Sequence, residues 1–281
     1  MSNNFSKKRT QIKYEQRRPA LWDRLLDPLL SINAWLTYLF LYLPIAILIM
    51  FSFSASSFST VWGGFSVEWY IKLFHDAEIA AALRNTLIVA SVSTLMATLI
   101  GTMAALAITK FRFRGQNMIE ATLNLPIILP DIVQGISLLI LFALILNISR
   151  GLGTIIIAHV VFNIAYVAII VGARLRGFDR SLEEASMDLG ATPWQTFWKI
   201  TFPLIWPGIL SAALLAFTLS LDEFVITFFV TGPGATTLPI EIYSLIKRGV
   251  TPEINALTTL MLLVSILLVS LSILLQRRRL S

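Results

Sequence analysis

Residues 184–203 read Glu184-Ala185-Ser186-Met187-Asp188-Leu189-Gly190-Ala191-Thr192-Pro193-Trp194-Gln195-Thr196-Phe197-Trp198-Lys199-Ile200-Thr201-Phe202-Pro203. They lie in the most densely charged internal loop, between two long apolar runs. Ser181 followed by Glu184 has capping-box spacing, which predicts a helix over 181–189. Gly190 falls where a helix end favours a left-handed backbone. Thr192-Pro193 opens a second helix, with proline at its first position. Trp194, Phe197 and Trp198 give that helix an apolar face, and Pro203 and Pro207 are expected to end it. The segment therefore reads as helix, glycine joint, helix: a compact protrusion from something larger.

Composition says what the larger part is. Of 281 residues, 56% are hydrophobic and 14% charged, and the mean hydropathy is +0.78. Soluble domains carry about 25% charged residues. Six apolar runs, near 33–54, 85–109, 118–147, 152–173, 207–230 and 255–275, are long enough to cross a hydrocarbon layer that needs about 20 helical residues. Backbone polar groups in lipid must be satisfied within the segment, so each run is expected to be a helix. The short alternating pieces of a membrane barrel are absent from the sequence. The expected fold class is all-α, a bundle of six transmembrane helices. The first run is too long for the core of a cleaved signal peptide and reads as an uncleaved anchor. There is no cysteine, so disulfides and thiolate metal sites are excluded. No internal repeat is visible.

Orientation follows from lysine and arginine. With the N-terminus inside, the inner segments hold Lys7, Lys8, Arg9, Lys13, Arg17, Arg18 and Arg24, then Lys110, Arg112 and Arg114, then Arg174, Arg176, Arg180 and Lys199, and last Arg277, Arg278 and Arg279. Only Lys72, Arg84, Arg150, Lys247 and Arg248 fall outside. Both termini are thus expected in the cytoplasm, together with the loop 174–206. The net charge of +6 flanks spans and does not point to nucleic acid. The expected organisation is a cytoplasmic tail 1–32, a permease domain 33–275 that includes the loop 174–206, and a tail 276–281. Trp22, Leu25, Leu26 and Leu29 share one helical face of the first tail, which reads equally as an interfacial helix or as a solvated basic tail.

Polar residues inside the spans are few. Thr94, Thr98 and Thr102, with Gly101 and Ala105, form a small-residue stripe suited to close helix packing. His159, Asn163 and Tyr166 share a face and read as interhelical hydrogen-bonding groups. Leu125-Pro126-Ile127-Ile128-Leu129-Pro130-Asp131 puts two prolines and an acid within the third run, where freed carbonyls and a carboxylate need protein or water around them. Asp222 and Glu223 lie inside the fifth run. Such carboxylates cost on the order of 2.5–3.5 kcal/mol on insertion scales. They line a pathway or hold a structural ion pair, and the sequence leaves both open. Phe58, Trp62, Phe65, Trp69, Tyr70 and Phe74 make the loop 55–84 aromatic, consistent with an interfacial belt or with contact to an external partner.

Residues 184–203 resemble the EAA loop of ABC importer permeases, whose pattern is E-A-A, three residues, G, nine residues, I-x-L-P. Glu184, Ala185, Gly190, Ile200 and Pro203 match at the family spacing; Ser186 and Phe202 depart from it. In the family this loop is what a cytoplasmic ATPase grips, which implies ATPase-coupling roles for Glu184, Ala185, Ser186, Asp188, Gly190, Ile200 and Pro203. The stretches 61–66, 179–185, 219–223, 231–239 and 252–257 look like polyamine importer permeases of the MetI-like family. The likeness is to their second permease subunit, with Gly234-Ala235-Thr236-Thr237-Leu238-Pro239 nearer the putrescine type. The resemblance implies a bacterial inner-membrane protein with a second, homologous permease subunit, two copies of an ATPase, a periplasmic polyamine-binding protein and a polyamine cargo. ATP and Mg would be used by the ATPase and no cofactor by this chain. A polyamine is a cation with methylene spacers, so carboxylates and aromatic faces suit its route. Asp131, Asp222 and Glu223 are the pathway candidates.

Competing classes fit less well. The chain lacks a phosphate-binding Gly-x-x-x-x-Gly-Lys-Ser/Thr loop and so is not expected to hydrolyse ATP itself. His75 and His159 lie on different segments, without His-Glu-x-x-His, which argues against a metalloenzyme. A secondary transporter would leave the loop without a purpose. An ABC permease for another small solute remains the nearer alternative.

Overall fold

A computed structural model describes residues 21–58, 61–249 and 251–277. The chain divides into two units, 1–48 and 49–281. Helix α1 (Leu21–Phe51) begins in the first unit and contains Pro28 and Pro44. The side chains that would distinguish an interfacial helix from a solvated tail, those of 21–27, lie outside the described residues, as does the tail 278–281.

Among its described residues the second unit is built of helices and their loops, with one isolated antiparallel bridge between Ser54 and Phe65. A short helix α2 (Glu68–His75) leads through Asp76 into α3 (Ala77–Lys110). Asp76 caps α3 by accepting from the backbone N–H groups of Glu78 and Ile79 at 2.8 and 3.0 Å. Next come α4 (Gln116–Ile128) and α5 (Asp131–Ile140), the latter extended by a π-helical turn over Leu141–Ile145. Helix α6 (Leu152–Arg176) follows, then α7 (Ser181–Asp188) and α8 (Pro193–Thr196). A second π-helical turn, Phe197–Thr201, joins α8 to α9 (Phe202–Asp222). The chain closes with α10 (Val225–Val230), α11 (Leu238–Arg248) and α12 (Pro252–Arg277).

Among the described residues, five segments are long and apolar enough to cross a membrane: Pro28–Phe51, Ala77–Lys110, Leu152–Arg176, Pro193–Asp222 and Pro252–Leu271. The pair α4–α5 passes the same test jointly, bent by 111°, and makes a sixth if the two are taken as one broken span. The structure thus holds five to six candidate crossings where the sequence reads six, with two corrections to that reading. The third run is not one helix, because Pro130 cannot donate to the Pro126 carbonyl and the helix restarts at Asp131. The freed acceptor is taken by a side chain: Gln134 Nε2 donates to Pro126 O at 2.8 Å and to Leu129 O at 3.0 Å. The fifth crossing is shifted. It runs continuously from Pro193 to Asp222, so Pro203 and Pro207 do not end the loop's second helix. The wide turn before Pro203, in which Phe202 N–H bonds Phe197 O, relieves the ring's clash with the preceding turn.

Helices α3, α6 and α9 form the centre. Near one end Ala105, Val167, Val171, Leu175, Ile205, Ile209, Ala212 and Ala216 pack together. The stripe on α3 packs as expected: a Cβ on Gly101 would stand 2.7 Å from Val167 Cβ and 3.0 Å from Ile164 O, so only glycine permits this approach. Near the other end Val89 meets Ile155, Ala158, Phe162, Ile226 and Val230. His159 is the polar centre of the bundle. Its Nδ1 pairs with Ser220 Oγ at 2.5 Å and its Nε2 with Thr227 Oγ1 at 2.8 Å. Ser220 also meets Ser93 of α3 at 3.2 Å. The hydrogen-bonding role read for this face therefore holds for His159; the fully buried Asn163 amide has no partner among the described residues.

The loop after α10 is tied to the start of α3. Asn85 Nδ2 donates to Thr236 O at 2.9 Å, and Thr86 Oγ1 accepts from Leu238 N at 2.7 Å. In the loop 55–84 the aromatics divide. Trp69 donates to Ser54 O at 2.9 Å and Tyr70 reaches Ser52 at 2.8 Å, while Phe58, Phe65 and Phe74 are exposed.

Candidate functional site

The protrusion between α6 and α9 has the expected helix–glycine–helix form, with different caps at its start. Asp179, rather than Ser181, provides the side-chain oxygen, accepting from Ser181 N at 3.0 Å. The Ser181 backbone N–H, and then its hydroxyl, hold the Asp179 carboxyl below the usual carboxylate range. The Ser181–Glu184 capping box does not form, because the helix already begins at Ser181. At the joint Gly190 has φ +86°. Its N–H bonds Met187 O at 2.9 Å, and the Ala191 N–H bonds Ser186 O at 3.1 Å, which is the Schellman closure. The second helix opens with a true capping box: Gln195 N–H donates to Thr192 Oγ1 at 3.3 Å and Gln195 Oε1 accepts from Thr192 N at 3.0 Å.

The two limbs are joined by a residue that departs from the EAA pattern. Ser186 Oγ lies 3.1 Å from Thr196 Oγ1, a buried hydroxyl, a bond that alanine would not make. Glu184, Ala185 and Asp188 are exposed, and Leu189 and Trp194 at the tip are 89% and 69% exposed. Ile200 lies in the π turn and Pro203 in the first turn of α9. Trp194, Phe197, Trp198, Phe202 and Trp206 form a continuous aromatic ladder, with successive partners such as Trp198 and Phe202 having centroids 4.8 Å apart.

The anchor of the protrusion is the residue next to the motif glutamate. Glu183 accepts from Lys110 Nζ, at the end of α3, at 2.5 Å. It also accepts from Thr201 Oγ1 in the π turn. Arg180 Nη2 adds a bond to Thr109 O at 2.9 Å, meeting the carbonyl end of α3, where the helix dipole favours a cation. Glu183 was not legible as an anchor, since its partners are 73 residues before it and 18 after. Partial burial pushes the Glu183 carboxyl up, but Lys110 and Thr201, helped by Arg180, outweigh this and hold it below the ordinary range. A carboxylate so depressed contributes stability above its unfolded value near 4.3 and loses it as pH falls through the lower folded value. Wild-type thermal stability is therefore expected to fall more steeply below about pH 4.3 than that of Glu183→Gln, a difference read by thermal scans from neutral to acid pH.

The three acids read as pathway candidates lie at helix breaks, not within continuous spans. Asp131 is the first residue of α5 and is exposed; Asp222 is the last of α9 and is exposed; Glu223 is extended, with φ −65° and ψ 111°, and half-buried. Neighbouring residues of a continuous helix point about 100° apart, but the helix ends at Asp222, so that offset does not apply to Asp222 and Glu223. Glu223 Oε1 accepts from Ile226 N at 2.6 Å, which starts α10. Helices α5 and α10 approach so closely that a Cβ on Gly135 would stand 2.5 Å from Phe229 Cδ2 and 3.4 Å from Ile226 Cα. This approach brings Asp131 within electrostatic reach of Glu223, which also feels Asp222. None of the three has an ion-pair partner among the described residues. Beside them Phe224, Phe228 and Tyr243 form an aromatic group, with Phe224 and Tyr243 centroids 5.0 Å apart. These aromatics carry no sequence motif; only the fold brings α11 back to the break. Among the described residues no group of three or more His, Asp or Glu is placed to hold a metal.

A broken-helix membrane bundle with a capped protrusion between its last two central helices defines a class of membrane transport component. Over residues 97–280 the chain matches the binding-protein-dependent transport system inner membrane components, and it belongs to that family. It is the membrane component of a transport system, not an enzyme. It is 47% identical to the putrescine transport system permease protein PotI of Escherichia coli K12, over 81% of this chain and 83% of that one. It is 41% identical to the spermidine/putrescine transport system permease protein PotC of the same strain, over 85% and 90%. A bacterial ABC transporter involved in import of the acidic polysaccharide alginate shares the fold, with a TM-score of 0.72 at 20% identity over 92% of this chain and 97% of that one.

Proposed function

We propose that the chain is one of two membrane subunits of an ATP-driven importer that moves polyamines, putrescine among them, into the cytoplasm. The observation that carries the cargo assignment is the placing of Asp131, Asp222 and Glu223 at two helix breaks whose helices, α5 and α10, pack closely, without a cation of their own among the described residues. Unpaired carboxylates beside the Phe224–Tyr243 aromatic group suit an ammonium at either end of a methylene chain. The names of the relatives, putrescine and spermidine/putrescine permeases, support the same cargo.

In this reading the permease domain is 33–275, and the lysine and arginine bias puts the termini and the loop 174–206 in the cytoplasm. The exposed tip, with Glu184, Asp188, Leu189 and Trp194, enters a groove of the ATPase. Glu183, Lys110 and Arg180 tie the tip to α3. Two copies of that ATPase use ATP and Mg. A second, homologous permease completes the pore, and a periplasmic binding protein delivers the polyamine. The sequence has no cysteine, so single introduced cysteines in the loop and the tails report sidedness directly.

The test is uptake of radiolabelled putrescine by Asp222→Asn and Glu223→Gln at matched membrane expression. Loss of a charge-assisted contact worth about 1.5–3 kcal/mol predicts a fall of roughly tenfold or more. Unchanged uptake removes these acids from the route. Competition by spermidine and by uncharged solutes separates polyamine transport from transport of another small solute.

A further inference from the structure

At the end of α3 the chain turns through Phe111-Arg112-Phe113-Arg114-Gly115 into α4. The turn is closed by Gln116 Nε2, which donates to Ile108 O at 2.8 Å. It encloses a cleft of about 790 Å³ whose lining includes Lys110, Arg112, Arg114, Arg180, Gln116 and Asn117. A cleft of this size lies within the range of about 300–1,000 Å³ seen for small-ligand sites. Four cations converge there, with no acid among the described residues that line it. Lys110 is neutralised from outside the cleft by Glu183, and Arg180 is used on Thr109 O. Arg112 and Arg114 have no anionic partner among the described residues. Like charges held this close favour binding of an anion.

The surroundings select the kind of anion. Phe111 is 64% and Phe113 38% exposed, and Met118 and Ile119 at the start of α4 are 77% and 47% exposed. Phenylalanine and arginine thus alternate along the rim. The cleft stands where an apolar span, Ala77–Lys110, ends, on the side of the bilayer's polar headgroup layer that such a span reaches. An acidic protein surface would match the arginines but not the exposed apolar rim. We propose that this cleft binds the phosphate headgroup of an anionic phospholipid, with Arg112 and Arg114 on the phosphate and Phe111, Phe113 and Met118 against the acyl chains. Lys110 is shared between the cleft and the Glu183 anchor, so an occupied cleft adjoins the root of the protrusion.

The assignment rests on membrane insertion and not on the cargo or orientation proposed above, because both leaflets of a nanodisc carry the lipid. The experiment uses the full chain carrying Asn117→Cys, its single thiol labelled with an environment-sensitive fluorophore, in phosphatidylcholine nanodiscs of graded phosphatidylglycerol content. A saturable change at low phosphatidylglycerol is expected, unaffected by inorganic phosphate. Arg112→Gln with Arg114→Gln should shift half-saturation roughly thirtyfold, taking about fivefold per basic residue at a membrane surface. Arg112→Lys with Arg114→Lys keeps the charge that directs insertion and should shift it far less. The proposal is overturned by an absent lipid response, by an equal response in the glutamine variant, by the same change with inorganic phosphate alone, or by a response to an ATPase subunit but not to lipid. Any of these leaves polyamine uptake, measured separately, as it was.

Discussion

Gly190→Pro is expected to cut ATP turnover stimulated by the binding protein, in the reconstituted importer, by roughly a hundredfold, with the chain still inserted. Gly190 has φ +86°. The proline ring fixes φ near −65° and removes the N–H, which here bonds Met187 O. The Schellman closure is then lost, and α8 no longer leaves α7 at the same angle. A local cost of about 3 kcal/mol set against the gripped geometry corresponds to about two decades in rate. Nothing packs on Gly190 within 4 Å, so the effect is one of backbone direction. Gly190→Asn is the matched control, because asparagine tolerates the left-handed region, and it should retain most of the turnover. Normal stimulated turnover in Gly190→Pro would show that the joint does not carry the coupling.

Gly135→Leu is the second large effect. The α5–α10 contact leaves no room for a Cβ: Phe229 Cδ2 would lie 2.5 Å away and the Ile226 backbone 3.4 Å away. Leucine must therefore push α10 from α5, at a cost of about 1–3 kcal/mol or more for overpacking. Thermal unfolding of the detergent-solubilised chain should show a lowered midpoint. Putrescine uptake should fall further than stability alone explains, because the same displacement parts Asp131 from Glu223. Gly135→Ala, which the Phe229 ring can accommodate by turning, should lie between leucine and wild type. A leucine variant with wild-type midpoint and uptake would mean that the two half-helices do not depend on each other.

These two positions show what the sequence reveals and what it hides. Gly190 was legible because its signal is local: a polar helix, a glycine, then Thr192-Pro193. The crossings were legible because lipid imposes their length and apolarity. The breaks were not. Residues 207–230 are apolar almost throughout, so hydropathy cannot tell that α9 ends at Asp222 and that another helix starts at Val225. What decides is a side-chain oxygen on Ile226 N–H and a glycine surface on a different crossing. Likewise Pro126 and Pro130 announced a kink, but the 111° bend needs Gln134 to donate to the freed carbonyls. In the protrusion, the motif pointed to Glu184. The neighbouring Glu183 is the one held by α3, and only the fold supplies Lys110.

The unbroken run from Pro193 to Asp222 has a mechanical meaning. Thirty residues at 1.5 Å each make a rod of about 45 Å. Its near end is the aromatic ladder under the tip, and its far end is the carboxylate at the break. In the proposed coupling, a stroke applied to Trp194 reaches Asp222 along this one helical rod, which yields at the wide turn of Phe197–Thr201. That turn is clamped through Thr201 to Glu183 and Lys110. Under the proposed coupling, that clamp makes α3 the fulcrum, so Lys110 and Glu183 set the direction of the stroke rather than its arrival.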